Sequence, residues 1–156
     1  MEVLDQPQWR ARNVHVTFVG RGLNERALRR LAKGLDLPHT EFAGFVEDIE
    51  QLWTRYHALV LPSRFEGMPL SLVEAMLCSR PSIVTDVAGH RELVRDNING
   101  FLAKAPTVEL LDEAMNRAWE NRKRLKEMGE MGAADVRRWV SPDPTGDFVR
   151  ELESLV

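Results

Sequence analysis

A chain of 156 residues with a hydrophobic fraction of 44% is about one domain long and can fill one ordinary core. Its single cysteine, Cys78, excludes an internal disulfide and any Cys/His zinc spacing, and Lys+Arg 21 against Asp+Glu 24 argues against nucleic acid as a partner. No apolar run is long enough for a transmembrane segment, and the acidic start Met1-Glu2-Val3-Leu4-Asp5 lacks the apolar stretch of a secretory signal, so a cytoplasmic globular domain is expected.

Residues 1–13, with Pro7, Trp9 and several charges, read as a lead-in segment. Val14 to Val19 is β-branched and apolar and stops at Gly20-Arg21-Gly22, which predicts a strand. Asn24 is placed to cap a helix carrying Leu28, Leu31, Ala32 and Leu35, ended by Gly34 and Pro38. A short strand, Thr40 to Ala43, precedes a helix from Asp48 to Tyr56. Ala58 to Leu61 is a strand-length apolar run ended by Pro62-Ser63, and Pro69 fits the first turn of a helix running to about Cys78.

Ser82 to Thr85, a short helix from Arg91 to Arg95, and the strand Phe101 to Ala103 follow. Leu110 to Trp139 is mostly helical by its apolar spacing, with Gly129 and Gly132 as candidate breaks. Pro142 and Pro144 precede a last amphipathic helix from Asp147 to Leu155. Residues 14–139 form the expected domain, and 140–156 a C-terminal helix packing on it. Alternating strands and helices predict an α/β fold, a three-layer doubly wound parallel sheet with a helical C-terminal tail. The apolar runs expect both sheet faces to be covered. Ligands of such sheets bind beyond the carboxyl ends of the strands.

The informative stretch runs from Pro62 to Met76. A strand ends, a glycine-containing loop follows, and a helix starts near Pro69. Free N–H groups of Leu70, Ser71 and Leu72 at that helix start make an anion site suited to phosphate. Glu74 shares the face of Leu70 and Ser71, about one turn, roughly 5 Å, along the axis. Glu66 flanks the same place from the loop. Two carboxylates repel a bare phosphate, but they fit a phosphate that carries sugar hydroxyls. The pattern therefore suits a nucleotide-sugar. No Asp-x-Asp pair is present, and no metal or cofactor is expected.

The ordered set of motifs resembles the C-terminal, donor-binding domain of retaining glycosyltransferases with the GT-B fold, of the family-four type, a Rossmann-like half of that fold. The residues that carry it are the Pro62-Ser63 step, Glu66-Gly67-Met68-Pro69, Glu74-Ala75-Met76, Ser79-Arg80-Pro81, Gly89-His90-Arg91-Glu92 and Asn99-Gly100-Phe101-Leu102. Upstream, Gly20-Arg21-Gly22 and Phe42-Ala43-Gly44-Phe45-Val46 match two strand ends. The resemblance implies that Glu74 binds ribose hydroxyls and that Glu66, the catalytic candidate, faces the donor sugar. It implies that the backbone of Leu70 and Ser71 holds the distal phosphate, with Gly67, Met68 and Pro69 in the donor loop. Phe45 and Val46 would line the base, and Gly20 and Gly22 would form the loop of close approach.

The family's earlier strand, with its Arg and Lys on the diphosphate, is not in this chain, nor is an N-terminal acceptor domain. The resemblance thus implies a piece of a longer chain whose partner domain holds the acceptor, with a nucleotide-diphospho-sugar of UDP, GDP or ADP type as donor. On its own the piece is expected to be inactive. A binding or regulatory module that keeps the fold without turnover is an alternative. So is an NAD-binding domain, from Gly20-x-Gly22-x-x-Glu25 after a strand, although Glu25 opposes close helix packing there. Arg64 and Arg91 are further candidates for phosphate contact, and His90 reads as a lone histidine in a ligand-side loop.

Overall fold

The computed structural model describes residues 1–155. Among them are β1 (Val16–Val19), β2 (Thr40–Gly44), β3 (Leu59–Leu61), β4 (Ser82–Thr85) and β5 (Gly100–Ala103). The helices are α1 (Pro7–Arg10), α2 (Glu25–Gly34), α3 (Ile49–Trp53), α4 (Leu70–Leu77), α5 (His90–Leu93), α6 (Val108–Glu120), α7 (Leu125–Trp139) and α8 (Pro144–Glu153). None of the described helices is long and apolar enough to cross a membrane.

All strand pairing is parallel, as the alternation of strand and helix requires. It falls into two groups, β1-β2 and β3-β4-β5, and no ladder joins them among the described residues. β1 pairs Phe18 with Phe42, whose rings stack at 5.0 Å. β3, β4 and β5 align Val60 with Ile83 and Ile83 with Phe101. Only β4 is buried along its whole length. It is paired on both edges and covered on both faces, which buries even its polar end residues Ser82 and Thr85. Among the described residues β1 and β3 each keep an unpaired edge and are only half-buried, with Val19 exposed, so the expectation of full cover fails there.

Successive side chains on a strand point to opposite faces. Ile83 therefore joins Phe101, Ala114, Met115, Ala118 and Met128 under α6, while Val84 joins Leu72, Met76, Leu93, Val94 and Val136 under α4 and α7. The segment expected as a lead-in contributes Val3 and Trp9 to the first of these clusters. Trp9 Nε1 donates to Asp112 Oδ1 at 2.5 Å, and the Arg12 guanidinium lies 4.3 Å from the Trp9 ring and 5.1 Å from that of Trp119. In α8 no residue is buried, and Phe148, Val149 and Leu152 are largely exposed.

The long helical tail breaks, but not at its glycines. The break falls at Asn121, whose side-chain Nδ2 donates back to the Arg117 carbonyl at 2.8 Å and caps α6. α7 runs unbroken through Gly129 and Gly132. Gly129 is there because α7 lies against the end of α4: a Cβ on it would overlap the Ser79 backbone carbonyl. Ser79 itself closes α4 in the left-handed region, φ 57°, with Arg80 N–H donating to the Ala75 carbonyl at 2.8 Å.

Past β4 the chain turns sharply. Asp86 N–H donates to the Ala103 carbonyl at 2.8 Å, and the Asp86 carboxylate is clamped by both nitrogens that Arg91 offers it. The Arg91 hydrogen bonds hold the Asp86 carboxyl below its ordinary range.

Two outcomes follow from these contacts. Gly129→Ala should destabilise the fold by about 1–3 kcal/mol through backbone overlap, whereas Gly132→Ala, whose nearest neighbour would be Met76 at 3.5 Å, should be neutral or gain up to about 1 kcal/mol in helix propensity; urea unfolding of both variants measures this. A carboxyl held low adds stability above its unfolded pKa, and that stability is lost as pH falls through the folded value. Asp86→Asn should therefore lower Tm at neutral pH, and the gap to the parent should close below about pH 4, read by melts across pH 3–7.

Candidate functional site

β3 ends at Leu61 and releases the loop 62–69 at its carboxyl end, and Pro69 then sets an extended residue before α4. The Leu70 and Ser71 N–H groups have no partner among the described residues. Leu72, expected free, is not: its N–H donates to the Pro69 carbonyl at 3.0 Å, with Val73 sharing that oxygen at 3.4 Å. The first turn tightens into a 3₁₀-type bond, which takes one donor out of the anion site and leaves two. The Leu70 side chain stands in solvent, while Leu72, Ala75 and Met76 are buried and anchor the helix from its inner face.

Glu74 lies on the half-buried flank of α4, one turn in from Leu70, and its carboxylate makes no hydrogen bond or ion pair among the described residues. Glu66 is half-buried in the loop. Ser63 Oγ donates to its Oε1 at 2.7 Å, and its other oxygen is without a partner among the described residues. Both carboxylates are thus available to polar ligand groups. Met68 leans away from the loop surface and packs against the cluster around Leu72 and Val84.

The loop is held from the side by the turn after β4. Thr85 Oγ1 donates to the Ser63 carbonyl at 2.5 Å, and Gly89 N–H donates to the Gly67 carbonyl at 3.1 Å. A Cβ on Gly89 would overlap that same carbonyl, so the two backbones touch only because Gly89 has no side chain. Thr85, Gly89 and His90 were not among the residues expected in the site. Their signal is present in the sequence, since Gly89-His90 follows the strand Ser82–Thr85, but strand pairing is needed to bring it to Gly67.

The other expected group forms a separate knot. Gly20 N–H donates to the Gly44 carbonyl at 2.6 Å, with Gly20 at φ 107° and Gly44 at φ 69°, conformations that favour glycine. Gly22 accepts from Glu25 N–H at the start of α2. Phe45 is 65% exposed and takes no part in the core, and Val46 is half-buried beside it. No hydrogen bond ties this knot to the Glu66 loop among the described residues. Arg91 is engaged by Asp86, whereas Arg64 is exposed and forms no ion pair among the described residues. Burial, first, and then Glu50 push the Cys78 thiol above its ordinary range, so it is no activated nucleophile.

The site so built offers two backbone donors, the Glu74 carboxylate and one open oxygen of Glu66 beyond the carboxyl end of β3. Residues 2–135 match the family model described as glycosyl transferases group 1. A Bacillus subtilis protein named as a glycosyltransferase, EpsD, is 30% identical over 128 residues, covering 81% of this chain and 34% of its own length. The chain thus spans about a third of the length of the curated relatives it matches. Among solved structures, Anabaena HepE in complex with UDP and glucose superposes with a TM-score of 0.84 at 24% identity, over 99% of this chain and 43% of HepE. TarM of S. aureus does so with a TM-score of 0.84 at 19% identity, over 99% of this chain and 31% of TarM. The alternation of parallel strands and helices, the loop 62–69 and the match over 2–135 converge: the chain belongs to the group 1 glycosyl transferases, as a C-terminal domain of the GT-B type.

Proposed function

We propose that this domain binds the nucleotide-diphospho-sugar donor of a retaining glycosyltransferase, with the acceptor held by an N-terminal domain of the same longer chain. The observation that carries the reading is the pair of unpartnered N–H groups at Leu70 and Ser71 with the free Glu74 carboxylate one turn further on the same helix. Two N–H groups at a helix start bind an anion. A carboxylate beside them repels a lone phosphate but accepts hydrogen bonds from a ribose joined to it. HepE, which shares the fold, carries UDP and glucose in its structure, in keeping with such a ligand.

In this reading the distal phosphate sits on the Leu70 and Ser71 amides, with Gly67, Met68 and Pro69 giving the loop its shape. Glu74 takes the ribose hydroxyls, and Phe45 and Val46 lie along the base. Gly20 and Gly22 leave room for close approach of the donor. When the sugar leaves, the bond between its anomeric carbon and the phosphate oxygen breaks and the electron pair stays on the diphosphate. The helix start stabilises that growing charge. Glu66 faces the sugar and acts on the transfer step; the sugar reaches the acceptor with its anomeric configuration retained.

The two glutamates then separate in a test on the full-length protein. Glu74→Ala should weaken nucleoside diphosphate binding about 10- to 100-fold, the loss expected for hydrogen bonds to a charged group. Glu66→Gln should leave that affinity within about threefold while lowering donor turnover by about 100-fold or more. Calorimetric titration and turnover of the two variants measure both. Unchanged affinity in Glu74→Ala removes the ribose assignment, and unchanged turnover in Glu66→Gln removes the catalytic one.

A further inference from the structure

His90 is wholly buried at the start of α5, and its Nδ1 lies 2.6 Å from the Thr85 carbonyl oxygen. A carbonyl only accepts, so Nδ1 carries the proton and donates. Nε2 is then a bare acceptor, and it is buried without a partner among the described residues. An orphaned buried acceptor costs stability. An apolar side chain of similar size would fill the space without that cost. What the ring supplies and an apolar residue cannot is the Nδ1–H bond to Thr85.

That bond closes the turn 85–90 on itself. At one end of the turn, Thr85 Oγ1 holds the Ser63 carbonyl, and Ser63 Oγ holds Glu66. At the other end, Gly89 N–H holds the Gly67 carbonyl. Ser63 and Gly67 bracket Glu66 in the chain, three residues before it and one after it. A clasp that fixes Thr85 relative to Gly89 therefore fixes the stretch between Ser63 and Gly67. Leu70, Ser71 and Glu74 are outside its reach, because α4 is seated by its own buried residues Leu72, Ala75 and Met76.

We infer that His90 is a positioning residue for glycosyl transfer, which sets the place of Glu66 from a distance through the Thr85–Gly89 clasp and leaves the nucleotide end of the site alone. The inference rests on the donor-site reading given above.

The test uses the full-length protein with His90→Leu, which removes the donor, and His90→Asn, whose amide nitrogen takes the place of Nδ1 and which lacks a second ring nitrogen. Amide hydrogen exchange at Gly89, donor turnover and nucleoside diphosphate affinity are read for each. In His90→Leu, Gly89 should exchange about tenfold faster or more as its bond to Gly67 opens. Its kcat should fall about tenfold or more, with affinity within about threefold of the parent. His90→Asn should restore exchange and kcat to within about threefold of the parent.

Unchanged Gly89 exchange in His90→Leu overturns the clasp. So does an Asn variant as impaired as the Leu variant, or a loss of affinity that matches the loss of kcat, since either marks a purely structural role. Should the Leu variant not fold, nitrogen shifts of the parent imidazole decide: protonation at Nε2 in place of Nδ1 overturns the inference. A parent that binds no nucleoside diphosphate sinks the donor-site reading instead, and Gly89 exchange still decides whether His90 holds the loop.

Discussion

The candidate site depends on one close approach, in which the Gly89 N–H meets the Gly67 carbonyl at 3.1 Å. No other residue at position 89 permits it, because a Cβ there overlaps the carbonyl it must approach. The contact joins the loop after β3 to the turn after β4, and strand pairing delivers both to the same edge. Parallel pairing of Leu61 with Val84 puts the ends of β3 and β4 side by side, so that the loops leaving them have to pack or diverge. Here they pack, and Glu66 is carried on the packed stretch. In the proposed reading Glu66 acts on a bond being broken and has to be held to a fraction of an ångström, and a loop tied at two carbonyls is a better support than a free one.

The charge distribution follows from the same geometry. The donors at the site are backbone N–H groups, whose positions the helix fixes, and not long side chains that must be ordered first. The nearest arginine on the β4 side, Arg91, is spent on Asp86 and serves the turn. Around the two free N–H groups stand carboxylates. In the proposed reading that combination discriminates, since it favours an anion that brings hydroxyls to the carboxylates. The α4 helix can present its start so openly because its inner face is buried under α7, where the bare Gly129 lets the two helices close.

Much of this was legible in the sequence. β4 reads as a strand because it is covered on both faces, and the Pro62–Pro69 loop is marked by Pro, Ser and Gly at a strand end. Glu66 and Glu74 stand out by their spacing from a helix start. What was not legible depends on neighbours that the sequence does not order. Gly129 and Gly132 look like helix breaks by propensity alone; packing against Ser79 and Met76 makes them contact points inside one helix. Trp9 belongs to the core through Asp112 and Trp119, about a hundred residues away, so a local reading leaves it in a lead-in. Leu72 loses its free N–H to a tightened first turn, a matter of one hydrogen bond. His90 looked like a lone histidine because its bond is to a backbone carbonyl, which carries no letter.

The central claim is that the helix start at Leu70 and Ser71, with Glu74, takes a nucleoside diphosphate. The most direct test is a thermal-shift titration of the full-length protein with UDP, GDP, ADP, dTDP and NAD, since a ligand that binds only the folded state raises Tm with concentration. The account predicts a concentration-dependent rise with a nucleoside diphosphate, greater for one base than for the others, and none with NAD. A rise with NAD alone, or no rise with any of the five, would contradict it.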